Sequence, residues 1–364
     1  MAFSLRMRHR EIDMGRRSLA ITAGIVVTAL AGIVTSHYRR EIRLARNRIS
    51  SGSRMLRTPC GDIEYADAGR GPAVLMVHGA GGGFDQGMAF SSEFASRGFH
   101  VISMSRFGYL RTPLPADASA QAQADAHVCL MDALGIEKAA VIGASAGAPS
   151  SMQLAIRHPG RVSALILLVP ATFVPRPGNA PPLTTPRGTE FLFSTALKSD
   201  FLFWAVRHTV PHTMVRSILA TPPEDLDKVN VAERKRVTRM LDEILPVSPR
   251  RLGLLNDAKI TSSLVRYELE KITAPTLIVS VADDQFGTFA GARYSAEHIP
   301  NARFVGYATG GHIWAGHHAE LVSEIGVFLK RALAPVDSSA TMRAKEPMLP
   351  APATRTRLAA LTTR

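Results

Sequence analysis

The five residues Gly143 to Gly147, which read Gly-Ala-Ser-Ala-Gly, carry the first pattern that points to chemistry. An apolar run at residues 139–142 precedes them, and a segment of helical character at residues 148–158 follows. A Gly-x-Ser-x-Gly sequence between a strand and a helix is typical of a nucleophile elbow, because small residues let two backbones approach at a sharp turn. Ser145 is therefore a candidate nucleophile. A turn of small residues with no chemical role has the same composition, so the presence of partners decides between the two interpretations.

A serine hydroxyl is a poor nucleophile at neutral pH and needs a base that is held by a carboxylate. Two later segments supply these groups. Residues 276–281 read as a strand and are followed by Asp283 and Asp284, and the predicted strand at residues 302–307 is followed by His312. An open parallel sheet places its ligands beyond the carboxyl ends of its strands. The chain order of serine, aspartate and histidine is the order that accompanies an elbow of this kind.

A glycine-rich loop, His78 to Gly83, follows the predicted buried strand at residues 73–77. The loop lacks the Lys-Ser/Thr pair of a phosphate-binding loop, and Phe84 stands where a dinucleotide-binding sequence needs glycine, so we expect no nucleotide. His78 is expected to brace the loop rather than to take part in chemistry. His317 and His318 have no acidic or cysteine partner at zinc spacing, so we expect solvent-exposed histidines and no metal site.

The segments that must position these residues alternate between strands and helices. Strands are predicted at residues 62–67, 73–77, 99–104, 138–143, 162–169, 276–281 and 302–307. This alternation predicts an α/β fold with a mostly parallel, doubly wound sheet that helices cover on both faces. Residues 58–170 and 272–334 are predicted to form this core. The largely helical segment 171–271, which opens with a proline-rich stretch, is predicted to be an inserted cap.

The N-terminal region is predicted to have three parts: a basic segment at residues 1–17, a transmembrane anchor at residues 18–36 and a basic juxtamembrane linker at residues 37–57. The uncharged stretch within the anchor is 17 residues long, the short end of what spans a bilayer. A cleaved export signal with an Ala-x-Ala site at residues 29–31 is an alternative, and a buried helix is another. We expect a membrane-associated protein with one N-terminal span, or else an exported protein. Both flanks are basic, so the orientation stays open.

The formal charge of +13 is concentrated at the two ends of the chain. Residues 1–57 hold 12 arginines against three acidic residues, a net +9, and residues 335–364 hold five basic and two acidic residues, a net +3. The remaining +1 on residues 58–334 does not favour nucleic-acid binding, whereas a basic flank beside an apolar segment favours membrane lipid as a partner. Residues 335–364 are predicted to be a disordered tail. The two cysteines, Cys60 and Cys129, are expected to be unpaired thiols.

Five motifs together make the chain resemble the α/β-hydrolase superfamily over about residues 58–334. They read HGAGGG at 78–83, SRFGY at 105–109, GASAG at 143–147, APTLIVSVADD at 274–284 and TGGH at 309–312. The resemblance implies that Ser145 is the nucleophile, His312 the general base and then acid, and Asp284 the orienting carboxylate, with Asp283 as the weaker candidate. Val281 and Thr288 stand where the family often has glycine and proline.

The resemblance also implies an oxyanion hole made of backbone N–H groups from Ala146 and Ala80, with Gly81 as the alternative to Ala80. The expected activity is hydrolysis of a small-molecule carboxylic ester, or of an amide or lactone, with an apolar acyl or alkyl group and through an acyl-enzyme. A serine at the elbow argues against the dehalogenase and epoxide hydrolase branches, which use aspartate. A C–C bond hydrolase or an acyltransferase would use the same residues, and a non-catalytic, membrane-tethered binding protein is the alternative outside enzymes. No cofactor is expected.

Overall fold

A central, mostly parallel sheet is the main feature of the computed structural model, which describes residues 2–175 and 196–334, with side chains from Ile21 onward. The described residues contain eight strands: β1 Arg54–Thr58, β2 Gly61–Ala68, β3 Ala73–Val77, β4 His100–Met104, β5 Ala139–Ala144, β6 Val162–Leu168, β7 Thr276–Val281 and β8 Ala302–Tyr307. Their order across the sheet is β1-β2-β4-β3-β5-β6-β7-β8. β2 is antiparallel to both of its neighbours, and the other pairs are parallel. The predicted α/β fold is therefore confirmed.

Eleven α-helices lie within the same described ranges: α1 Ala2–Ser50, α2 Phe84–Ala95, α3 Ala120–Ala133, α4 Ala148–Arg157, α5 Asp200–Thr209, α6 Pro211–Ile218, α7 Pro223–Lys228, α8 Val231–Asp242, α9 Arg251–Ser262, α10 Thr288–His298 and α11 His318–Ala332. Alternate residues of the strands enter two apolar clusters, one on each face of the sheet. Helices α3, α4 and α10 cover one face, and α2 and α11 cover the other. The sheet is thus doubly wound, as the alternation of segments predicted.

The strand order reverses at β3, which has β4 on one side and β5 on the other. The loops that leave β3 and β5 therefore run to opposite faces of the sheet and leave a crevice between their carboxyl ends. The His78–Gly83 loop leaves β3, and the Ser145 turn leaves β5, so both border this crevice. β7 and β8 continue the same edge and carry the aspartate and histidine loops.

The cap segment, residues 171–271, joins β6 to β7, and its described part contains α5 to α9 and no strand. Its helices pack in a third apolar cluster, which includes Phe203, Trp204 and Leu241 and extends to Tyr109 and Ile313 outside the cap segment. The proline-rich stretch is described only at residues 171–175, and residues 176–195 and the predicted tail at 335–364 lie outside the described residues.

The segment predicted as a linker, residues 37–57, has regular structure. Helix α1 continues through it to Ser50, and β1 begins at Arg54. Ile42 and Ala45 lie three residues apart on one face of α1 and are buried in the apolar cluster of the cap segment. Burying an isoleucine side chain is worth about 1.5–3 kcal/mol, which is enough to hold this part of the helix in place. This buried face of α1 could not be recognised from the sequence, because five arginines surround the two apolar residues.

Residues 21–36 of α1 are all exposed. Ile21, Ile25 and Ile33 are 64–65% exposed, and α1 is long and apolar enough to cross a membrane. By length and composition, such a segment fits either a membrane span or an export signal. The buried-helix alternative for this segment is not supported by these exposures.

The expectation of two unpaired thiols is wrong, because Cys60 and Cys129 form a disulfide. Cys60 lies in the turn between β1 and β2, and Cys129 lies on α3, which packs against β1. Their Cα atoms are 6.1 Å apart although 69 positions separate them in the chain. The sequence gives no indication of this pairing, since it depends on where the β1–β2 hairpin lies on α3.

The disulfide leads to a measurable expectation. The oxidised protein, unfolded without reductant, should expose no free thiol, and reduction should expose both. Replacing Cys129 with serine should lower the free energy of unfolding by about 2–4 kcal/mol, because the cross-link restricts the unfolded chain. A thiol titration with a chromogenic disulfide reagent and a denaturant melt give the two results. Two reactive thiols in the unreduced chain would contradict the pairing.

Candidate active site

Ser145 lies at a strained turn between β5 and α4. Its backbone φ is +48°, in the left-handed region that side chains other than glycine rarely adopt. Such a residue costs about 1–3 kcal/mol and is kept only where its surroundings force it. The flanking glycines show that force: a Cβ on Gly143 would lie 2.7 Å from Ser151 Cβ, and one on Gly147 would lie 2.5 Å from the Val77 carbonyl oxygen. The close approach of β5, α4 and β3 thus requires both glycines.

The structure brings the three predicted side chains together. His312 Nε2 lies 2.8 Å from Ser145 Oγ, and His312 Nδ1 lies 2.8 Å from Asp284 Oδ2. Asp284 and His312 are 6% and 8% exposed, so their contacts are shielded from bulk water. This is the relay in which a carboxylate orients an imidazole that can accept the serine proton.

Asp284 is held in its ionised form by its surroundings. Burial raises its pKa, but the charge of His312 and hydrogen bonds from His312, Thr288 and the Phe286 N–H lower the pKa by more, so the net pKa lies below the usual value. An acid whose pKa is lowered by folding stabilises the fold above its unfolded pKa, and the contribution is lost as the pH falls through the folded pKa. Asp284 is therefore charged at neutral pH. Thr288, which replaces the proline common in the family, is the hydroxyl donor to this carboxylate.

Asp283 has a different position. Its carboxylate accepts hydrogen bonds from the Gly310 N–H at 3.2 Å and the Gly311 N–H at 2.8 Å, in the loop that leads to His312. Burial, together with the neighbouring Asp225 of α7, raises the pKa of Asp283. Of the two adjacent aspartates, the structure places Asp284 against the histidine and uses Asp283 to shape the histidine loop.

The glycine-rich loop holds one of the predicted oxyanion donors in another bond. The Gly81 N–H, the alternative to Ala80, donates to the Tyr109 hydroxyl at 3.2 Å, and this bond favours Ala80 as the oxyanion donor of the loop. The Ala80 N–H, at an exposed position of the same loop, donates to no protein group in the described residues. Gly79 lies directly beside the serine, because a Cβ there would lie 3.1 Å from Ser145 Cβ. Ala146 follows the serine and is buried.

A buried network fixes this loop. The Tyr109 hydroxyl donates to Asp257 of α9, and Arg106 forms two hydrogen bonds to the same carboxylate at 2.6 and 2.7 Å. His78 donates from Nδ1 to the Gly79 carbonyl and accepts the Arg106 N–H at Nε2. Burial, then the charge of Arg106, keeps the pKa of His78 well below its usual value. His78 is therefore a neutral brace, as the sequence predicted.

The cap segment clamps the aspartate and histidine loops, a contribution that sequence reasoning missed. The Ala220 carbonyl, between α6 and α7, accepts the His312 N–H at 3.3 Å and the Gln285 N–H at 3.0 Å. Ala220 itself has a φ of +41°, so a strained backbone is used at this contact. Gly311 packs against Thr221 so closely that a Cβ would lie 2.5 Å from Thr221 Cα. A backbone carbonyl leaves no periodicity or motif in the sequence, so the role of the Ala220 carbonyl could not be predicted.

Helix α1 reaches the same region through Arg48. Its Nε donates to Asp85 at 3.2 Å, and its Nη2 donates to the carbonyls of Glu243 and Leu245. Asp85 lies in the first turn of α2, directly after the glycine-rich loop, and also accepts from the fully buried Arg250. Arg250 in turn donates to the Gly82 carbonyl at 2.6 Å. One carboxylate thus joins α1, the cap segment and the glycine-rich loop.

Apolar side chains lie beside the glycine-rich loop and beside His312. The nearest side-chain atom to a Cβ placed on Gly81 would be an Ile244 carbon at 3.7 Å, and the Phe286 ring packs edge-on against His312 with 4.9 Å between centroids. A cavity of about 540 Å³ lies elsewhere, between the loop at residues 114–121 and α9, and none of the three side chains lines it.

Comparison with known proteins identifies the family of the chain. Residues 72–315 match the family model described as the alpha/beta hydrolase fold, and the chain belongs to that family. It is similar to the uncharacterized hydrolase YcgS of Bacillus subtilis, 27% identical over 71% of this chain and 91% of that protein. It is also similar to a 2-hydroxy-6-oxo-6-phenylhexa-2,4-dienoate hydrolase of Comamonas testosteroni, 27% identical over 70% and 85% of the two chains.

Among solved structures, the chain is similar to an alpha/beta hydrolase fold protein from Nakamurella multipartita, with a TM-score of 0.65 and 28% identity. That match covers 77% of this chain and 99% of the other. The protein is therefore a hydrolase of this superfamily, with an N-terminal helix in front of the shared fold.

The Arg48 contacts give a prediction with a matched control. Arg48→Ala should lower the free energy of unfolding by about 1–3 kcal/mol, because Asp85 loses a donor in a partly buried site. It should also lower kcat by roughly tenfold. Asp85 directly follows the glycine-rich loop, so a shift of Asp85 would displace the Ala80 N–H from the oxyanion. Arg46→Ala removes an exposed arginine that lies 3.4 Å from Asp200. Asp200 keeps hydrogen bonds from the Ser248 N–H and hydroxyl, so stability should change by less than about 0.5 kcal/mol. Equal effects from the two variants, in denaturant melts and ester assays, would contradict the role of Arg48.

Proposed function

We propose that this protein is a serine hydrolase that cleaves a carboxylic ester with an apolar acyl or alkyl group. The observation that carries the proposal is the position of His312, 2.8 Å from both Ser145 and Asp284 at the edge of the sheet. Phe286 beside His312, and Ile244 beside the glycine-rich loop, support an apolar substrate. A complete and correctly connected set of three side chains argues against a non-catalytic binding protein on the same fold.

The reaction follows from the positions of these atoms. Ser145 Oγ attacks the ester carbonyl carbon while His312 Nε2 accepts the hydroxyl proton, and Asp284 stabilises the imidazolium that forms. The backbone N–H groups of Ala80 and Ala146 bind the oxyanion of the tetrahedral intermediate, a contact worth about 10²–10³ in rate per donor. The C–O bond breaks, and His312 returns the proton to the leaving alcohol. Water then attacks the acyl-enzyme by the same route and releases the acid and Ser145.

Hydrolysis of a C–C bond is the second candidate, and the names of several relatives support it. The name of the Comamonas testosteroni relative describes a hydrolase of a 2-hydroxy-6-oxo-dienoate, and further relatives carry names of the same type. Such a reaction would use the same serine, histidine and aspartate, with a carbon leaving group in place of an alcohol. The residues described around Ser145 do not distinguish the two reactions.

The test of the proposal is hydrolysis of p-nitrophenyl esters of increasing acyl length by the full chain in detergent. Ser145→Ala should lower turnover by at least about 10³-fold, and Asp284→Asn by about 10²–10⁴-fold, because the histidine loses its nucleophilic partner or its orientation. Asp283→Asn is the matched control at the adjacent position and should lose less than about tenfold, since it weakens loop hydrogen bonds and leaves the contact between Asp284 and His312 in place.

Three results would oppose the proposal in different ways. Activity that survives in Ser145→Ala would remove the serine as nucleophile. A larger loss in Asp283→Asn than in Asp284→Asn would reverse the roles of the two aspartates. No turnover of any ester, together with cleavage of a 2-hydroxy-6-oxo-dienoate, would establish C–C hydrolysis instead.

We further propose that the hydrolase part lies outside the cytoplasm and is tethered to a membrane by residues 18–36. The exposed apolar side chains of α1 support a span in lipid. The Cys60–Cys129 disulfide supports an oxidising compartment, since such bonds persist in exported proteins and are rare in the cytosol. A cleaved export signal would deliver the protein to the same compartment, and the mass of the mature chain distinguishes the two.

Removal of residues 2–36 should release an active protein that stays in solution without detergent. The retained part of α1 keeps Ile42, Ala45 and Arg48 against the cap segment. A deletion of residues 2–50 should also lose the membrane segment but should lower stability and ester turnover, because these contacts go with it. Sedimentation and activity assays on the two proteins give the comparison. A shorter deletion that still sediments with membranes would contradict the anchor.

A further inference from the structure

The junction between α1 and α5 holds a cluster of side chains that the proposed reaction does not use. Glu41 of α1 is at its centre. Its Oε1 lies 3.1 Å from His37 Nε2, one turn earlier on the same helix, and its Oε2 lies 3.1 Å from His208 Nε2 of α5. The three ligand atoms lie within 4.8 Å of one another. From this geometry we propose that His37, Glu41 and His208 form a binding site for a zinc-type divalent cation.

The donor set and its spacing fit such an ion. Two imidazole nitrogens and one carboxylate are a common zinc ligand set, with a water molecule in the fourth position. Bond lengths near 2.0 Å in a tetrahedral site place neighbouring ligand atoms roughly 3.3 Å apart, close to the distances at Glu41. The side chains of His37, Glu41 and His208 are 50%, 28% and 35% exposed, so an ion can enter from solvent and keep its water.

Neighbouring side chains orient the ligands. The Trp204 indole N–H donates to Glu41 Oε2 at 2.8 Å, and the His37 ring packs edge-on against the Trp204 ring at 5.7 Å. Tyr38 packs against Phe201 and Trp204, so aromatic contacts already join the two helices. Hydrogen bonds to a ligating carboxylate are the usual way in which a protein fixes a metal ligand.

Arg207 is the competing cation at this position. Its Nη1 lies 3.1 Å from both Glu41 Oε2 and His208 Nε2. An imidazole nitrogen is either a donor or an acceptor, so His208 Nε2 cannot satisfy the arginine and the carboxylate at the same time. A divalent cation resolves this conflict, because the lone pair of His208 Nε2 and the carboxylate of Glu41 can then both bind the same positive ion. Arg207 retains its ion pair with Asp242 in that case.

The bound ion would tie α1 to the cap segment at the point where the apolar part of α1 ends. His37 follows the uncharged stretch by two residues, and α5 belongs to the cap segment. The site is separate from Ser145 and does not depend on the proposed function. Sequence reasoning could not find it, since His208 is 167 positions from Glu41 and no metal motif links them.

The test uses the full chain in detergent, freed of metal with a chelator and titrated with Zn²⁺ by calorimetry. One equivalent per chain should bind, and the affinity should fall by at least about tenfold in His37→Ala, Glu41→Gln and His208→Ala. The matched control is His317→Ala with His318→Ala, which removes two histidines from α11 and its preceding turn and should bind as the wild type does. Arg207→Ala should bind at least as tightly as the wild type.

Thermal unfolding supplies a second readout that does not depend on activity. Zn²⁺ should raise the Tm of the wild type and of the His317/His318 variant, and should leave the Tm of His208→Ala unchanged. Equal affinity in the wild type and His208→Ala, loss of binding in the His317/His318 variant, weaker binding in Arg207→Ala, or no binding at millimolar Zn²⁺ would each overturn the proposal.

Discussion

The close approach of three backbones at the end of β5 is the constraint on which the site depends. Gly143 and Gly147 let α4 and the end of β3 come within contact distance of the turn, and this packing holds Ser145 at a φ that its side chain would otherwise avoid. The strain costs about 1–3 kcal/mol and is offset by the packed sheet on either side. The strained turn places the serine hydroxyl above the carboxyl ends of the strands, close to the aspartate that follows β7 and the histidine that follows β8.

The sheet supplies the reacting groups, and the segments outside it fix their loops. Ala220 of the cap segment clamps the backbone beside Asp284 and that of His312, and Asp257 of α9 fixes Tyr109 and hence the glycine-rich loop. Asp85 adds α1 to this support through Arg48. Substitutions of Asp257 in the cap segment or of Arg48 in α1 are therefore expected to act on the reaction through the position of these loops, without contact with the substrate.

The parts that could be predicted from the sequence are those with local signals. The strands β3, β7 and β8 carry continuous or nearly continuous apolar runs with clear ends, and their predicted limits agree with the structure. The elbow and the segments that end in Asp284 and His312 are local as well. The disulfide, the Ala220 clamp and the burial of Ile42 could not be predicted, because each is a contact between distant segments that depends on how helices lie on the sheet. Gly81 is an intermediate case: its loop was recognised, but its bond to Tyr109 is a tertiary contact.

Because α1 is continuous, a stiff helix and not a flexible linker joins the apolar N-terminal segment to the hydrolase fold. Arg48, which bonds to Asp85 beside the glycine-rich loop, lies eleven positions after His37. At 1.5 Å per residue, Arg48 is therefore about 17 Å along the helix axis from the end of the apolar stretch. With residues 18–36 in a bilayer, the reacting serine would stay at a set height above the headgroups and could not swing away. Such an enzyme would select its substrates partly by depth, favouring molecules that remain dissolved in lipid while their ester bond projects that far. Changes in bilayer thickness or helix tilt would then move the cap and Asp85 together, so mechanical properties of the membrane would act on the rate.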